Sequence, residues 1–395
     1  MTRKLYYENL YSSEFDANII DINGNNIILD ETLFYPSGGG QPCDSGYIDN
    51  IQVVDVHEKN GQIIHVLSEP ISEFKRVHGV IDWDKRFELM QQHLGEHIFA
   101  GELYNLHGLH TARMRIEGDN VSIDVDTPVD ENIILEAESA ANEAIYKDIP
   151  VEIIYPDMSE IKSLARKLPP ANPSEPVRII KISGVDYVPC CGLHVSTTGQ
   201  VGLIKITSHE NHKGGTRIYL KSGRAAYRWL DSLYREVRRA ESELVCNYMG
   251  LNEKIINLKS QIDSLKSQNE NNIMRYLRPL AQDLINNAKD FTKFRLVKHI
   301  IKDSSQDEIK HLFKLLTEGD KNLVALLACE NNDGVFIIFG CNRENKSLDV
   351  RPAFKKAINI LGGRGGGSAF SCQGFSDNIN LLNQAMDEAI KILVK

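Results

Sequence analysis

Near the start of the chain, residues 17–29 read ANIIDINGNNIIL, two apolar runs joined by a short polar turn. An Asn-Gly pair between apolar runs, here Asn23-Gly24, is the strongest short-range signal for a β-hairpin. Further alternating runs follow at residues 48–56 and 62–67, separated by glycine and polar residues. This repeated pattern predicts a small, barrel-like β domain over residues 1–80.

Beyond this β region, residues 84–106 read DKRFELMQQHLGEHIFAGELYNL and change to a helical pattern. Apolar side chains recur at Phe87, Met90, Leu94 and Ile98, the three- and four-residue spacing of one helix face. We therefore predict that a mixed α/β domain follows the barrel and spans residues 81–222.

A long helix is predicted after Gly223, because apolar residues there alternate at spacings of four and three. The seam consists of Leu230, Tyr234, Val237, Leu244, Tyr248, Leu251, Ile255, Leu258, Ile262 and Leu265, interrupted by Glu241. Such a seam is typical of a coiled coil or a helical hairpin, and it predicts a helical linker over residues 223–290. A long amphipathic helix packed on its own domain is the alternative. The same seam would also allow two subunits to pair as a homodimer, and the C-terminal domain is the alternative dimer surface.

Residues 291–395 have the pattern of a separate α/β domain, which makes the whole chain α+β in class. Strands are predicted at 294–297, 323–328 and 335–339, and helices at 306–316, 352–361 and 378–394. Between the last two helices lies GGRGGG, in which five glycines surround Arg364. Because Gly365 and Gly366 carry no side chain, this backbone could approach a ligand closely beside a cation. A flexible loop is the alternative.

The composition is that of an ordinary folded protein, with 395 residues, 42% hydrophobic and 25% charged. No run approaches the ~20 apolar residues that span a membrane, and the N-terminus lacks the apolar core of a secretory signal. We therefore expect a cytoplasmic protein without a membrane partner. Seven cysteines, an odd number, argue against a disulfide framework and leave metal binding or simple burial.

Positive charge is concentrated in one window of an otherwise acidic chain. The net charge is −9, yet residues 211–240 carry eight cations against two acids, a local net charge of +6. Such a window predicts a surface that faces phosphates, as in nucleic-acid binding. The candidate contacts are Lys213, Arg217, Lys221 and Arg224. A solvated helix face is the alternative.

Two pairs of potential metal ligands each have a four-residue spacing. His93 and His97 lie four apart on a predicted helix, so both imidazoles project from one face. Cys190 and His194 repeat the spacing about a hundred residues later. Three imidazoles and a thiolate form a donor set suited to Zn²⁺. Cys191 could replace Cys190 as the thiolate, although Cys190 has the better spacing.

The stretch from His93 to His97 also matches H-x-x-E-H, a metallopeptidase pattern in which the glutamate, here Glu96, is a general base. That alternative requires a further acidic ligand downstream. It gives Cys190 and His194 no role, and it leaves the glycine motifs unexplained.

Several motifs together resemble one family. Residues 30–46, DETLFYPSGGGQPCDSG, resemble the motif that precedes the editing site of alanyl-tRNA synthetases and of free-standing AlaX-type editing proteins. His93-x3-His97 resembles the first zinc pair of that family, and Cys190–His194 resembles its Cys-Gly-Gly-Thr-His motif. The sequence after this motif, at residues 195–206 and 213–218, also resembles the family, and the likeness as a whole covers residues 1 to about 228. The seam and the Arg364 motif resemble the DHHA1-type domain of long AlaX proteins.

This resemblance implies a trans-acting, zinc-dependent hydrolase that removes wrongly attached amino acids from tRNA(Ala), chiefly serine, with glycine left open. No amino-acid activation domain is recognised, so the chain is not expected to be the synthetase. No DHH motif is present, so a phosphoesterase fits poorly.

Roles for single residues follow if the chain has this activity. Thr32 is the predicted partner of the serine hydroxyl because it lies beside the glycine motif, and an ordinary strand threonine is the alternative. Peptide N–H groups at Gly39 and Gly40 would stabilise an oxyanion or hold the terminal adenosine. Gln41 would orient the ribose, and Arg364 would grip the tRNA body.

Two features leave the mechanism open. Four protein ligands would close a zinc site, and closed sites are usually structural. A loose His194, a five-coordinate ion or a purely positioning ion would each resolve this, and a tRNA-binding module with structural zinc is the competing function. The chain also departs from the family at Cys191 and Leu193, where glycine and threonine are usual. Glu96 stands where the family usually has no acid, and no catalytic role is predicted for it.

Overall fold

The computed structural model describes residues 2–169, 176–331, 333–344 and 348–395. The chain forms two compact units, an N-terminal unit that ends at Glu243 and a C-terminal unit that begins at Leu244. Helices and strands occur in both, so the chain is of mixed α and β structure. The finer division into four domains stays a prediction. In the described residues, no helix combines the length and apolar character needed to cross a bilayer.

The first part of the N-terminal unit is built from short strands and one short helix. They are β1 (Arg3–Lys4), α1 (Leu5–Glu8), β2 (Glu14–Asn23), β3 (Asn26–Leu29), β4 (Glu31–Thr32), β5 (Gly46–Ile48), β6 (Ile51–Lys59), β7 (Gln62–Leu67) and β8 (Arg76–Ile81). Strands β2-β3-β7-β6-β5-β8 close into a barrel. The predicted hairpin is β2–β3, where Asn23 pairs with Asn26 and Gly24 has a φ of 61°.

Apolar residues alternate with polar ones along the barrel strands, and their side chains fill the barrel interior. Ile27, Leu29, Ile48, Val56 and Ile63 are all buried in one cluster. The glycine motif lies in the segment between β4 and β5, outside the six barrel strands. The contacts of this segment with the helix that follows the barrel determine where the glycine motif lies.

The second part of the N-terminal unit begins with a long helix. Its elements are α2 (Trp83–His107), β9 (Thr111–Glu117), β10 (Asn120–Val125), α3 (Glu131–Tyr146), β11 (Val151–Ile154), α4 (Met158–Leu164), β12 (Ile179–Ile182), β13 (Asp186–Pro189), β14 (Ile204–His212) and β15 (Gly215–Ser222). Two antiparallel sheets form, with strand orders β14-β15-β10-β9 and β11-β12-β13.

Helix α2 is the central element of this part. Its N-terminus is capped by Asp82, whose carboxylate accepts from Lys85 N–H at 3.1 Å. The helix is buried almost all round, including the polar residues Gln92, His93, Glu96 and His97. Polar side chains at the centre of a buried helix need partners, so they mark a functional site rather than simple packing.

The long helix predicted after Gly223 is in fact two helices. Helix α5 (Gly223–Leu244) ends before Val245, which has a φ of 51°. A single 3₁₀ turn over Tyr248–Gly250 follows, and α6 (Leu251–Asn286) begins after it. Asn247 caps that turn by accepting from Gly250 N–H at 3.1 Å. The heptad pattern in the sequence therefore continues across the break between α5 and α6. The spacing of apolar residues carries no information about a residue with left-handed backbone, such as Val245.

The C-terminal unit contains a six-stranded mixed sheet between helices. After α6 its elements are β16 (Lys289–Asp290), β17 (Arg295–Lys302), α7 (Gln306–Gly319), β18 (Leu323–Asn331), β19 (Gly334–Cys341), α8 (Arg351–Leu361), β20 (Arg364–Gly367), β21 (Ser371–Ser376) and α9 (Leu382–Val394). The strand order is β16-β17-β18-β19-β21-β20, and within this sheet only β17 and β18 pair in parallel among the described strands.

Each face of this sheet is covered. Alternate residues of β18 face opposite cores, with Val324 and Leu326 packed with α8 and α9. Leu323 and Leu327 belong to the core formed with α6 and α7. The glycine-rich segment is not a loop, since residues 364–367 form the exposed edge strand β20.

Candidate metal centre

Four side chains from two distant stretches converge in the N-terminal unit. Helix α2 contributes His93 and His97, and the loop after β13 contributes Cys190 and His194. Their ligand atoms all lie within 4.8 Å of one another, and the cluster could hold a metal ion. His93 and Cys190 are 97 positions apart in the chain, so the fold, and not local sequence, brings these donors together.

The spacing of the donor atoms fits a single tetrahedral ion. His93 Nε2 lies 3.4 Å from Cys190 Sγ, and His194 Nε2 lies 3.6 Å from the same sulfur. Zn–N bonds of about 2.05 Å and Zn–S bonds of about 2.3 Å place tetrahedral N and S ligands about 3.6 Å apart. In addition, His97 Nε2 is buried without a hydrogen-bond partner in the described residues. A nitrogen buried in this way is suited to a metal.

Gln41 fixes the orientation of His93. Its Oε1 accepts from Leu193 N–H at 3.0 Å and lies 2.8 Å from His93 Nδ1. An amide oxygen only accepts, so Nδ1 carries the proton and Nε2 presents its lone pair to the thiol of Cys190. The oxygen of Gln41 is therefore committed to the cluster. The contact of Gln41 with a ribose stays a prediction. Of the polar atoms of the Gln41 side chain, only the buried amide nitrogen Nε2 lacks a partner among the described residues.

A carboxylate, which the sequence analysis missed, orients His97. Asp186 Oδ2 lies 3.1 Å from His97 Nδ1, and both Asp186 oxygens also accept from Arg166, at 2.9 and 3.2 Å. Buried imidazole ligands commonly need such an outer partner. The only sequence signal was an acid between the apolar residues Val185 and Val188.

The cluster shifts the proton affinities of its own members. Burial alone would raise the pKa of the Cys190 thiol, but the imidazoles of His93, His194 and His97 hold that pKa well below its usual range. Burial opposes the cation of His97, yet the Cys190 thiolate and Asp186 raise its pKa to about 10. Burial lowers the pKa of His194 to about 3. The thiolate is the form that binds metals.

Cys190, and not Cys191, belongs to the cluster. The thiol of Cys191 is exposed, and its carbonyl accepts from Tyr7 O–H at 2.6 Å. Arg178 donates to the carbonyls of Cys190 and Gly192, at 2.6 and 3.1 Å. These bonds hold the loop so that its first cysteine faces the imidazoles. The metallopeptidase alternative is wrong, because the cluster is completed by Cys190 and His194 where that pattern needs an acid.

A cavity of about 140 Å³ adjoins the cluster. Its lining includes Gly39, Glu96, Arg113, Arg166 and Lys167, together with three of the four cluster residues. It has room for a group about the size of benzene, which an engineered cavity of about 150 Å³ binds. The glycine motif thus reaches the cavity, while the Gly40 carbonyl accepts from Ile116 N–H at 3.0 Å.

Thr32 lies on β4, which pairs with β1 outside the six barrel strands, and it is fully buried. Its hydroxyl is 2.8 Å from His65 Nε2 and accepts from Phe34 N–H at 3.0 Å. It is absent from the described lining of the cavity. A substrate hydroxyl would have to break this buried hydrogen bond to reach it, so the structure gives no support to the predicted contact.

The predicted phosphate-binding cations are largely paired within the chain. Arg217 binds Asp124 at 2.6 and 2.9 Å, and Arg224 binds Asp84 at 2.5 Å. Lys221 donates to Asn120 Oδ1 at 2.8 Å. Lys213 is exposed in the β14–β15 turn and has no ion pair in the described residues. Arg364, Gly365 and Gly366 are exposed on the edge strand of the C-terminal unit.

Comparison with known proteins agrees with this architecture. Residues 177–219 match the family model described as "Threonyl and Alanyl tRNA synthetase second additional domain". This range contains β12, β13 and the Cys190–His194 loop. Residues 4–85 match the model "tRNA synthetases class II (A)", a range that covers the barrel.

Relatives extend the match over nearly the whole chain. Alanyl-tRNA editing protein AlaX-L of Pyrococcus horikoshii is 30% identical, over 93% of this chain and 93% of its own length. Alanyl-tRNA editing protein Aarsd1 of Mus musculus is 26% identical, over 89% and 85%. Alanine–tRNA ligase of Ignicoccus hospitalis is 28% identical over 93% of this chain, but only 40% of the ligase is covered.

The chain therefore belongs to the AlaX-type family of alanyl-tRNA editing proteins. The resemblance that the motifs predicted is confirmed. Its likeness to the ligase is confined to less than half of that enzyme.

Proposed function

We propose that this protein is a trans-acting editing hydrolase that deacylates mischarged tRNA(Ala), chiefly Ser-tRNA(Ala). The observation that carries the proposal is the convergence of His93, His97, Cys190 and His194 beside a small cavity. The names of the relatives, alanyl-tRNA editing proteins, support the substrate class.

We infer that the ion is Zn²⁺, because three imidazoles and one thiolate form a borderline-soft donor set at tetrahedral spacing. When bound, zinc would supply a Lewis acid for the ester carbonyl or for a water molecule. The chain's own residues do the rest. Gln41 and Asp186 each hold one imidazole in a single orientation, with the outer ring nitrogen as the hydrogen-bond donor.

The size of the cavity supports a small aminoacyl group as the substrate. A synthetase pocket cannot strongly reject an amino acid that only adds a hydroxyl, so a second site must make that distinction. A site that hydrogen-bonds the serine hydroxyl leaves a buried group unpaired when alanine binds, which can be worth ~10⁴ in rate. Peptide N–H groups of the glycine motif around Gly39 would stabilise the developing oxyanion.

The bulk of the tRNA would be bound through its phosphates, with the strong salt dependence that such contacts produce. Lys213 is the proposed contact in the N-terminal unit, because it is exposed and unpaired in the described part of the chain. Arg364 is the proposed contact in the C-terminal unit, on the open edge of its sheet.

Deacylation of Ser-, Gly- and Ala-tRNA(Ala) tests the proposal directly. We expect the wild-type protein to hydrolyse Ser-tRNA(Ala) and to spare Ala-tRNA(Ala). His97→Ala should lower the rate at least ~100-fold, because removing a metal ligand also removes the activated electrophile. His110→Ala is the matched control, since His110 is exposed and lies outside the cluster.

A tRNA-binding module with structural zinc is the second candidate, favoured by the four protein donors that would close the site. It predicts tRNA binding without hydrolysis of any of the three esters. Such a result, with the metal present and the fold intact, would replace the first proposal by the second.

A further inference from the structure

Glu96 is a buried carboxylate in the wall of the cavity. Its residue is 5% exposed, and it lines the same space as His93, His97 and Cys190. In the described residues, no hydrogen-bond donor reaches its carboxylate. The closest recorded cationic group is His97 Nδ1 at 3.9 Å, and that nitrogen already donates to Asp186.

The other charged groups of the cavity wall donate no hydrogen bond to the Glu96 carboxylate in the described residues. Each nitrogen of Arg166 already makes one hydrogen bond, because Nε and Nη2 donate to Asp186 and Nη1 donates to Thr111 at 2.9 Å. Arg166 and Asp186 thus balance each other. A buried carboxylate without a hydrogen-bond donor is costly, so a cation that enters the cavity and donates to it would be favoured.

The distribution of charge also has a direction. Glu96 is buried next to the cluster, whereas Arg113 and Lys167 are exposed on the same lining. An aminoacyl-tRNA end has the complementary polarity. Its α-ammonium lies one carbon from the scissile carbonyl, and its phosphates lie beyond the ribose. Ammonium inward and phosphates outward is the orientation that matches the wall.

We propose that Glu96 binds the α-ammonium group of the aminoacyl ester, and so restricts the site to esters with a free amine. This inference rests on the proposed function and names the chemical class that the site accepts. N-blocked esters, such as peptidyl or N-formyl esters, would be rejected because they leave the carboxylate unpaired. The contact also sets the ester carbonyl beside the cluster, since ammonium and carbonyl are separated by one carbon.

A near-isosteric substrate pair isolates this contact. In glyceroyl-tRNA(Ala), the ester of glyceric acid, a hydroxyl replaces the ammonium of Ser-tRNA(Ala), and the ester and side chain are unchanged. We expect wild-type kcat/KM, corrected for spontaneous hydrolysis, to favour the seryl ester roughly 10- to 100-fold, the range of a hydrogen bond to a charged group. Glu96→Gln should reduce this preference to less than about threefold, chiefly through the seryl ester.

Glu102→Gln is the matched control, because Glu102 lies on the same helix, is partly buried and is outside the cavity lining. It should keep the wild-type preference. If Glu96→Gln slows both esters equally and keeps their ratio, Glu96 acts as a base or a support and the inference is wrong. The metal content of each variant is measured alongside and should not change.

Binding provides a readout that does not depend on hydrolysis. A tRNA(Ala) that carries serine through a 3′-amide should bind the wild-type protein roughly tenfold or more tightly than its glyceric amide counterpart. Glu96→Gln should bind the two equally. Equal binding to the wild type would overturn the inference even where hydrolysis is observed. Unequal binding without any hydrolysis would retain it while the proposed function fails.

Discussion

Gly192 lies against the ring of His93 with no room for a side chain. A Cβ atom at this position would be 2.0 Å from His93 Cε1 and 2.3 Å from Nδ1. We expect Gly192→Ala to push His93 away from Gln41 and to weaken metal binding about 10- to 100-fold, as loss of an outer partner does. A chelator-competition titration measures this affinity.

Gly250→Ala is the control for that substitution, because its new Cβ would meet nothing closer than 3.6 Å. Its metal affinity should equal that of the wild type. A Gly192→Ala protein that binds metal normally, with a native circular dichroism spectrum, would show that the ring of His93 can move without cost.

His65 makes the barrel sensitive to acid. It is fully buried beside Thr32, and burial lowers its pKa to about 4 from an ordinary 6.5. Between these values the unfolded chain takes up a proton that the folded chain refuses. The contribution of neutral, buried His65 to the free energy of unfolding is therefore complete above pH 6.5 and is lost as the pH falls towards 4. The slope is ~1.4 kcal/mol per pH unit, or about 2 kcal/mol between pH 6.5 and 5.

Urea unfolding followed by tryptophan fluorescence measures this effect, because Trp83 and Trp229, the two tryptophans of the chain, both lie in the N-terminal unit. His65→Gln should lose less stability than the wild type over the same pH interval, by about 2 kcal/mol. Equal losses would mean that His65 titrates normally.

At the scale of elements, a buried ion pair joins α2 to the segment that carries the glycine motif. Arg86 Nε donates to Asp44 Oδ1 at 2.7 Å, its Nη2 also contacts Asp44, and Nη2 donates to Leu33 O at 2.6 Å. Asp44→Ala would leave a fully buried guanidinium without its partner. We expect a loss of about 3–5 kcal/mol in the free energy of unfolding, measured by the same fluorescence.

Asp55→Ala is the comparison for this prediction. Asp55 pairs with His57 at 2.9 Å, but its side chain is 49% exposed, and exposed pairs contribute about 0–1 kcal/mol. Similar stabilities of Asp44→Ala and Asp55→Ala would refute the anchoring role of the buried pair.

The β14–β15 hairpin allows two cations of different availability to be compared. Lys213 is exposed in its turn, whereas Arg217 on β15 is held by Asp124 at 2.6 and 2.9 Å. Lys213→Ala should reduce the slope of log affinity for tRNA against log salt by about 0.7–0.9, the value of one phosphate contact. Arg217→Ala should change it much less. A larger change for Arg217→Ala would mean that tRNA displaces Asp124.

At the scale of the whole molecule, the homodimer stays a prediction. The seam residues Ile255, Ile262 and Leu265 of α6 are 42%, 51% and 63% exposed, which is the surface that a second helix would cover. We expect sedimentation equilibrium to give twice the chain mass. Ile262→Glu with Leu265→Glu should halve it, and Ser260→Glu, on the opposite face of the helix, should not. A wild-type monomer would contradict the prediction.

Ligand pairs that are close in the sequence can be predicted from their spacing, whereas contacts between distant residues cannot. His93 and His97 could be paired from the sequence because four residues make one helical turn, and the same rule linked Cys190 to His194. The roles of Gln41 and Asp186 could not be found, because their hydrogen bonds to these imidazoles span 52 and 89 residues. No periodicity encodes such a distance.

The same limit explains the errors in the fold. The apolar alternation that predicts one helix passes unchanged through Val245, whose left-handed backbone ends α5. The glycines around Arg364 indicate conformational freedom, but pairing with β21 places them in a sheet. The first case is decided by a backbone conformation and the second by pairing with another strand. The pattern of side chains predicts neither.

His93 and Cys190 are 97 positions apart in the chain, and this separation would give a bound cation a second effect. A link across about 100 residues restricts the unfolded chain much as a covalent staple does, a constraint of about 4–5 kcal/mol. In a cell starved of the metal, the N-terminal unit would open more often and be degraded by proteases. Cellular abundance of the protein, as well as its specific activity, would then follow the supply of the ion.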